Sequence, residues 1–481
     1  MSLYDAIVVG SGPNGLSAAI VLARAGLSVL VREANATIGG GTRSLELTLP
    51  GYLHDVCSAV HPMAVASPFF RSLPLRDYGL DWIDPPLSLA HPFDDAPPAS
   101  LERGIDATGA TVHPDSAAYR RLLAPLVGSW DKLAPEILAP PLHFPHSPIA
   151  MAGFGLRALW SASTLARIAF GGKRARALFA GLAAHSMVAL DEPATAAIGL
   201  VLAAAGHAGG WPIPGGGSQR IADALVGYFR SLGGVIETNA KVDVLESLPP
   251  SRAVMLDLTP RHVMRVAATR LPANYLRRLG RFTYGPGVFK IDWALAEPIP
   301  WTYAECRLAG TLHLGGRLQE IEAGEKEAWT GQHSERPFVL LAQPSLFDPA
   351  RAPAGRHTAW AYCHVPNGST RDLTEVIESQ VERFAPGFRD IILARHTKNC
   401  VQLEESNANL VGGDIGGGSN NLRQLLARPV LAADPYRTPA EGLYICSAST
   451  PPGGGVHGMC GYHAARSALK HTFGKSGSDA R

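Results

Sequence analysis

Residues 5–35, DAIVVGSGPNGLSAAIVLARAGLSVLVREAN, constrain the fold more than any other stretch. An apolar run, a glycine turn, a run of small residues and a second apolar run follow in the order strand, turn, helix, strand. Gly10, Gly12 and Gly15 place G-x-G-x-x-G directly after the first strand. The first glycine permits the tight turn, the second lets the backbone approach a pyrophosphate, and the third lets helix and strand pack closely. The helix N-terminus, worth roughly +0.5 charge, then faces the phosphates. Glu33 ends the second strand about 20 residues on, where an acid accepts hydrogen bonds from a ribose. Glycine turns alone join many strands to helices; here the strand, helix, second strand and terminal acid together predict a Rossmann-type, dinucleotide-binding α/β unit.

One such unit does not account for 481 residues. Single cores stop growing at roughly 250 to 300 residues, so at least two domains are expected. The 46% hydrophobic and 17% charged content suits a packed globular chain. With 43 basic and 41 acidic side chains the formal charge is only +2, which leaves no electrostatic footprint for nucleic acid. The first strand-like run begins at Tyr4, which leaves no room for a charged and then apolar leader, so a cytoplasmic location is expected. The most apolar internal run, Ala194 to Gly206, is too short and too rich in small residues to span a bilayer. Cysteines stand at 57, 306, 363, 400, 446 and 460 without a C-x-x-C pair. That spacing argues against thioredoxin-type exchange and common zinc frameworks, and no metal is expected.

Directly after Glu33, the segment IGGGTRS at 38–44 resembles the second glycine motif of flavoproteins in the amine oxidase and phytoene desaturase superfamily. There the glycines and arginine lie along the phosphate and ribityl portion of FAD, which implies FAD contacts at Gly39, Gly40, Thr42 and Arg43. GYLHDVCSAVHP at 51–62 is similar to the segment that passes the isoalloxazine, with Asp55 matching its acid and His61 near the ring. WPIPGGGSQRIADALVGYFRSLGGVIETNAKV resembles the segment returning the chain to the FAD domain, with the backbone of Val242 on the adenine side. The closing LYICSASTPPGGGVHGMCGYHAA completes a resemblance over nearly the whole chain, nearest the carotenoid isomerase-like branch. It implies that backbone N–H groups at the start of the last helix face the flavin, with Gly454, Gly455 and Val456 on its pyrimidine side.

The implied architecture is a glutathione reductase-like flavoprotein fold. Its FAD-binding domain is assembled from residues 1–75, 208–265 and 430–470. An interleaved α+β substrate domain, residues 76–207 and 266–429, carries a mixed or antiparallel sheet, and 471–481 form a flexible tail. Within the substrate domain, GFGLRALWSASTLARIAFGGKRARALF has apolar residues at helical spacing and a basic knot at Lys173, Arg174 and Arg176. Two readings stand: a core-packed helix with a solvated face, or a peripheral membrane contact that admits a lipophilic substrate. FTYGPGVFKIDWALAEPIPW at 282–301 alternates like a strand and is expected to wall an apolar pocket over the flavin.

No second G-x-G-x-x-G directly follows a strand, so the electron acceptor is expected to reach the flavin through the substrate pocket or the opposite face; dioxygen or a quinone is the natural choice. The resulting expectation is an FAD-dependent dehydrogenase, desaturase or oxidase that takes hydride from a C–H bond of an apolar small molecule to flavin N5. His61 and His457 are the acid–base candidates, since histidine changes charge near neutrality. Cys460 is expected to be a buried free thiol rather than a flavin attachment point. A flavin amine oxidase, a carotenoid-type isomerase without net redox change, and a flavin-bound regulatory protein are the alternatives; oligomeric state is left open.

Overall fold

The computed structural model describes residues 4–141 and 143–475. Strands Ala6–Val9 and Val29–Arg32 read AIVV and VLVR and are almost wholly buried, as strands covered on both faces must be. They pair in parallel, Ala6 opposite Val29, with helix Pro13–Arg24 crossing between them. Three strands from distant parts of the chain complete this parallel sheet, in the order Leu443–Ile445, Ala253–Leu256, Ala6–Val9, Val29–Arg32, Val235–Glu237. Helix Pro13–Arg24 is packed between helices Gln219–Ser231 and Met459–His471.

A second sheet has seven strands, ordered Ile392–Lys398, Gly287–Leu295, His357–Val365, Val339–Ala342, Ala309–Leu314, Leu87–His91, Ala99–Leu101. All neighbours are antiparallel except Ala309–Leu314 against Leu87–His91, so the sheet is mixed. Helices Lys173–Ala184 and Thr195–Ala208 pack together on the strands' apolar side chains.

Two expectations change at this level. The strand within 282–301 is Gly287–Leu295, but it does not line the cavity. One of its faces, Phe289, Ile291 and Trp293, is taken up under helix Thr374–Phe384. The other carries a buried ion pair, Lys290 Nζ to Asp292 Oδ1 at 2.5 Å, with the ring of Trp360 5.4 Å from the ammonium. The cavity wall comes instead from the next strands in the sheet, through Leu340, Trp360 and Tyr362.

The stretch 153–179 is not one helix but parts of three, Pro148–Ala158, Ala162–Ala169 and Lys173–Ala184. Its basic knot is tied inward: Lys173 pairs with Asp95 at 2.6 Å, Arg174 donates to the His113 carbonyl at 3.0 Å, and Arg176 to that of Phe170 at 2.8 Å. Of the expected flexible tail, residues 471–475 finish the last helix and fold back, with the Lys475 amide donating to the Leu469 carbonyl at 3.0 Å. Residues 476–481 lie outside the described residues.

Candidate functional site

The parallel sheet ends in a turn that the glycines make possible. Gly10 holds φ +106°, a region closed to most side chains. A Cβ on Gly15 would lie 2.2 Å from the Gly10 carbonyl oxygen, so helix Pro13–Arg24 can start this close to the strand only with glycine there. From this turn one continuous cavity of about 530 Å³ runs into the space between helix Thr195–Ala208 and the second sheet.

Gly10, Gly12, Glu33, Gly40, Thr42 and Val242 line its stretch beside the parallel sheet, and His61, Gly454, Gly455 and Val456 line it as well. Gly15, Gly39, Arg43 and His457 do not. Gly39 instead donates its amide to the Ser11 carbonyl at 3.1 Å. Arg43 is buried, with Nη2 on the Ser406 carbonyl at 2.7 Å and Nε on that of Gly40 at 3.0 Å, so it braces the second glycine loop. His457 accepts the Met459 amide on Nδ1 at 3.1 Å and thereby caps the last helix. Gly454 to Val456, which line the cavity, therefore belong to the turn ahead of that helix, not to its first turn.

Glu33 is fully engaged. One oxygen accepts from the Ser11 amide at 2.9 Å and hydroxyl at 2.6 Å, the other from the Asn35 amide at 2.8 Å and side chain at 3.0 Å. Cys460 is buried and donates weakly to the Thr450 and Gly453 carbonyls, both at 3.4 Å; burial pushes its thiol up to about 11. It does not line the cavity, and all six cysteines are free.

His61 is held for a purpose the sequence could not display. Its Nε2 meets the Ser218 hydroxyl at 2.8 Å, while its buried Nδ1 has no partner. Burial drives its pKa down to about 4, so the ring is neutral at physiological pH. Behind Ser218 lies a buried ionic knot. The Ser218 amide donates to Asp55 at 2.7 Å, and Arg351, fully buried, binds Asp55 at 2.9 Å and Asp348 at 2.8 Å.

Sequence reasoning also missed Asp257, which sits under the glycine turn and accepts the Gly15 amide at 3.1 Å. Burial raises its pKa to about 7, the Gly15 bond opposes this, and Glu33 adds to it. A folded-state pKa above the unfolded one means that stability is present below about pH 4 and is lost as pH rises through about 7. Asp257→Asn keeps an acceptor for Gly15 without the buried charge. At pH 8 the cofactor-free variant is expected to be more stable by on the order of 1–2 kcal/mol, read by urea denaturation, with the gain vanishing near pH 4.

Comparison with known proteins agrees with this geometry. Residues 8–73 match the NAD(P)-binding Rossmann-like domain family. Pyridine nucleotide-disulfide oxidoreductase domain-containing protein 2 of Rattus norvegicus is 27% identical, with 96% of this chain and 92% of that protein covered. A lycopene-forming phytoene desaturase of Pseudescherichia vulneris is 24% identical over 57% of this chain and 59% of its own. Among solved structures, wild-type putrescine oxidase bound to putrescine superposes with a TM-score of 0.64 at 17% identity, covering 98% of this chain and 99% of that one, a likeness of fold. Fold, glycine-lined cavity and full-length similarity converge: the chain resembles pyridine nucleotide-disulfide oxidoreductase domain-containing protein 2 along nearly its whole length, and the phytoene desaturases over a little more than half of it.

Proposed function

We propose that this chain is an FAD-dependent oxidoreductase that takes hydride from a C–H bond of an apolar organic substrate. The observation that carries the reading is the continuity of the cavity, which joins the glycine turns of the parallel sheet to a chamber walled by Met187, Ile198, Leu202, Leu340 and Trp360. The residues present fit a dinucleotide. A Cβ on Gly40 would stand 3.1 Å from the Gly12 Cα, so the two glycine loops form a cradle that side chains would fill. Asn14 Oδ1, buried beside it, has no protein partner.

Bound FAD supplies the hydride-accepting ring, and the chain supplies position and dryness. Gly10, Gly12, Gly40 and Val242 would hold the cofactor's dinucleotide portion, and the turn at Gly454 to Val456 would border its ring. Neutral His61, fixed through Ser218, keeps its part of the cavity wall uncharged. Dioxygen or a quinone enters by the same cavity. The name carried by the full-length relative does not extend to disulfide chemistry here, since the chain has no C-x-x-C pair.

Anaerobic titration of the flavin-bound protein with a panel of apolar ketones, alkenes and carotenoid precursors, followed by air, tests the reading. Bleaching of the oxidised flavin band by one class, with recovery in air or on adding a quinone, is expected. A flavin that no panel member reduces, with products equal in mass to the substrates supplied, would favour isomerisation.

The same reading includes a lipid contact. Phe144, Ile149, Leu156, Leu159, Trp160 and Ile168 are all exposed within 25 residues, Phe144 and Ile149 to 89%. Helix Pro148–Ala158 packs on Thr195–Ala208, whose Ile198 and Leu202 line the chamber. No helix among the described residues is long and apolar enough to cross a membrane, and the contact proposed is with a membrane surface. Ile149→Glu with Leu156→Glu is expected to reduce co-sedimentation with phospholipid vesicles at least fivefold without changing the melting temperature.

A further inference from the structure

The chamber is not uniformly apolar. His185, at the end of helix Lys173–Ala184, lines it, with the ring of Trp211 edge-on at 6.3 Å. Its Nε2 lies 3.2 Å from Nε2 of His313, which is fully buried in the strand behind. The contact is built in: a Cβ on Gly181 would stand 2.6 Å from His313 Nδ1, so only glycine lets that ring lie where it does.

The proton on this pair can be placed by accounting for every nitrogen. His313 Nδ1 is buried without a partner. A buried N–H left unpaired is rarer and costs more than a bare lone pair, so His313 carries its proton on Nε2 and donates it to His185 Nε2. His185 then accepts on Nε2, and as a neutral ring it must carry its own proton on Nδ1. That nitrogen has no partner among the described residues and is not one of the sealed orphan atoms. Burial pushes His185 down to about 3, with His364 adding to the effect, and holds His313 well below its ordinary value, so neither ring charges at physiological pH.

We propose that His185 is a specificity-determining residue, a neutral N–H donor of fixed tautomer that selects substrates with an oxygen acceptor, such as a ketone, on an apolar body. The inference rests on the oxidoreductase reading and narrows its substrate class. Among the described residues, the carboxylates lining the cavity are Glu33 and Asp257, both at the glycine turn and not in the chamber. A protonated amine, with donors only, would meet the donor of His185 and no carboxylate there, so no counter-charge offsets its desolvation. The substrate class thus differs from the putrescine of the structural neighbour.

The test is isothermal titration calorimetry on the purified flavin-bound protein at pH 7.5, a readout that needs no turnover, with 2-octanone and octylamine as probes. The wild type is expected to bind 2-octanone at least tenfold more tightly than octylamine. His185→Phe is expected to lose about tenfold in 2-octanone affinity, the scale of one hydrogen bond in a dry site. His185→Gln, which keeps a donor, restores most of it, and His313→Leu, which frees the tautomer, loses severalfold. Octylamine binding as tightly as 2-octanone, or 2-octanone affinity unmoved in both His185→Phe and His313→Leu, overturns the inference while a flavin-bound protein leaves the wider reading standing. A protein that takes up no flavin overturns both.

Discussion

Gly461→Ala is expected to destabilise the protein by about 3 kcal/mol or more and to abolish flavin retention, although glycine to alanine inside an exposed helix ordinarily gains about 1 kcal/mol. The sign reverses because of what lies opposite. Gly461 is in helix Met459–His471 where it crosses helix Pro13–Arg24, and a Cβ there would stand 1.8 Å from the Asn14 carbonyl oxygen and 2.9 Å from the Ala18 amide nitrogen. These are backbone atoms of a buried helix and cannot turn aside, so the two helices must separate. Separation moves the first turn of Pro13–Arg24, which sets the glycine turn and the orphan Asn14 Oδ1 at the cavity. Chemical denaturation gives the stability, and gel filtration followed by a visible spectrum gives the flavin retained. Unchanged stability in the alanine variant would mean that the two helices can separate at no cost, against the expectation.

The second large effect is at Arg351, where Arg351→Met is expected to cost about 3–5 kcal/mol. The guanidinium is fully buried and binds both Asp55 and Asp348 as well as the Pro214 carbonyl at 3.3 Å. Burial alone would raise the Asp55 carboxyl; Arg351, with Ser44 and the Ser218 amide, holds it below the ordinary value. Methionine fills the volume but leaves two carboxylates buried together without a counter-charge. A depressed folded pKa gives stability above the unfolded value, near 4, that is lost as pH falls through the lower folded one. The wild type is therefore expected to unfold cooperatively below about pH 4, and the variant to be least stable at neutral pH and above. Adding Asp55→Asn to Arg351→Met should recover part of the loss. Because Asp55 also holds the Ser218 amide, and Ser218 holds His61, the single variant should loosen the cavity before it unfolds the chain.

How much of this was legible in the sequence follows from which contacts are local. The glycine turn, its flanking strands and Glu33 fall within 30 residues, and their geometry is dictated by backbone sterics, so the strand–turn–helix–strand unit could be read directly. The second, mixed sheet was legible only as a class, through resemblance. The residues that decide the chamber come together from positions 61, 185, 211, 340 and 360, and no short window of sequence carries such an arrangement. His457 illustrates the limit: a histidine in a glycine-rich segment near the cofactor motif invited an acid–base role, yet its ring closes a helix end. Arg43 illustrates another, since a charged side chain beside a glycine motif can serve the loop itself rather than a ligand. The strand Gly287–Leu295 was identifiable from its alternation, but which of its neighbours meets the cavity depends on strand order, which alternation does not encode. Gly181 and His185 read as ordinary helix residues until His313 is seen against them.

Whether the cavity holds FAD is read from a visible absorption spectrum of the freshly purified protein, followed by acid precipitation and identification of the released pigment by mass. A yellow protein with one FAD per chain is expected, the pigment released entirely into the supernatant because Cys460 is buried away from the cavity. A colourless protein that takes up no FAD on incubation, or one whose released ligand is a different nucleotide, would contradict it.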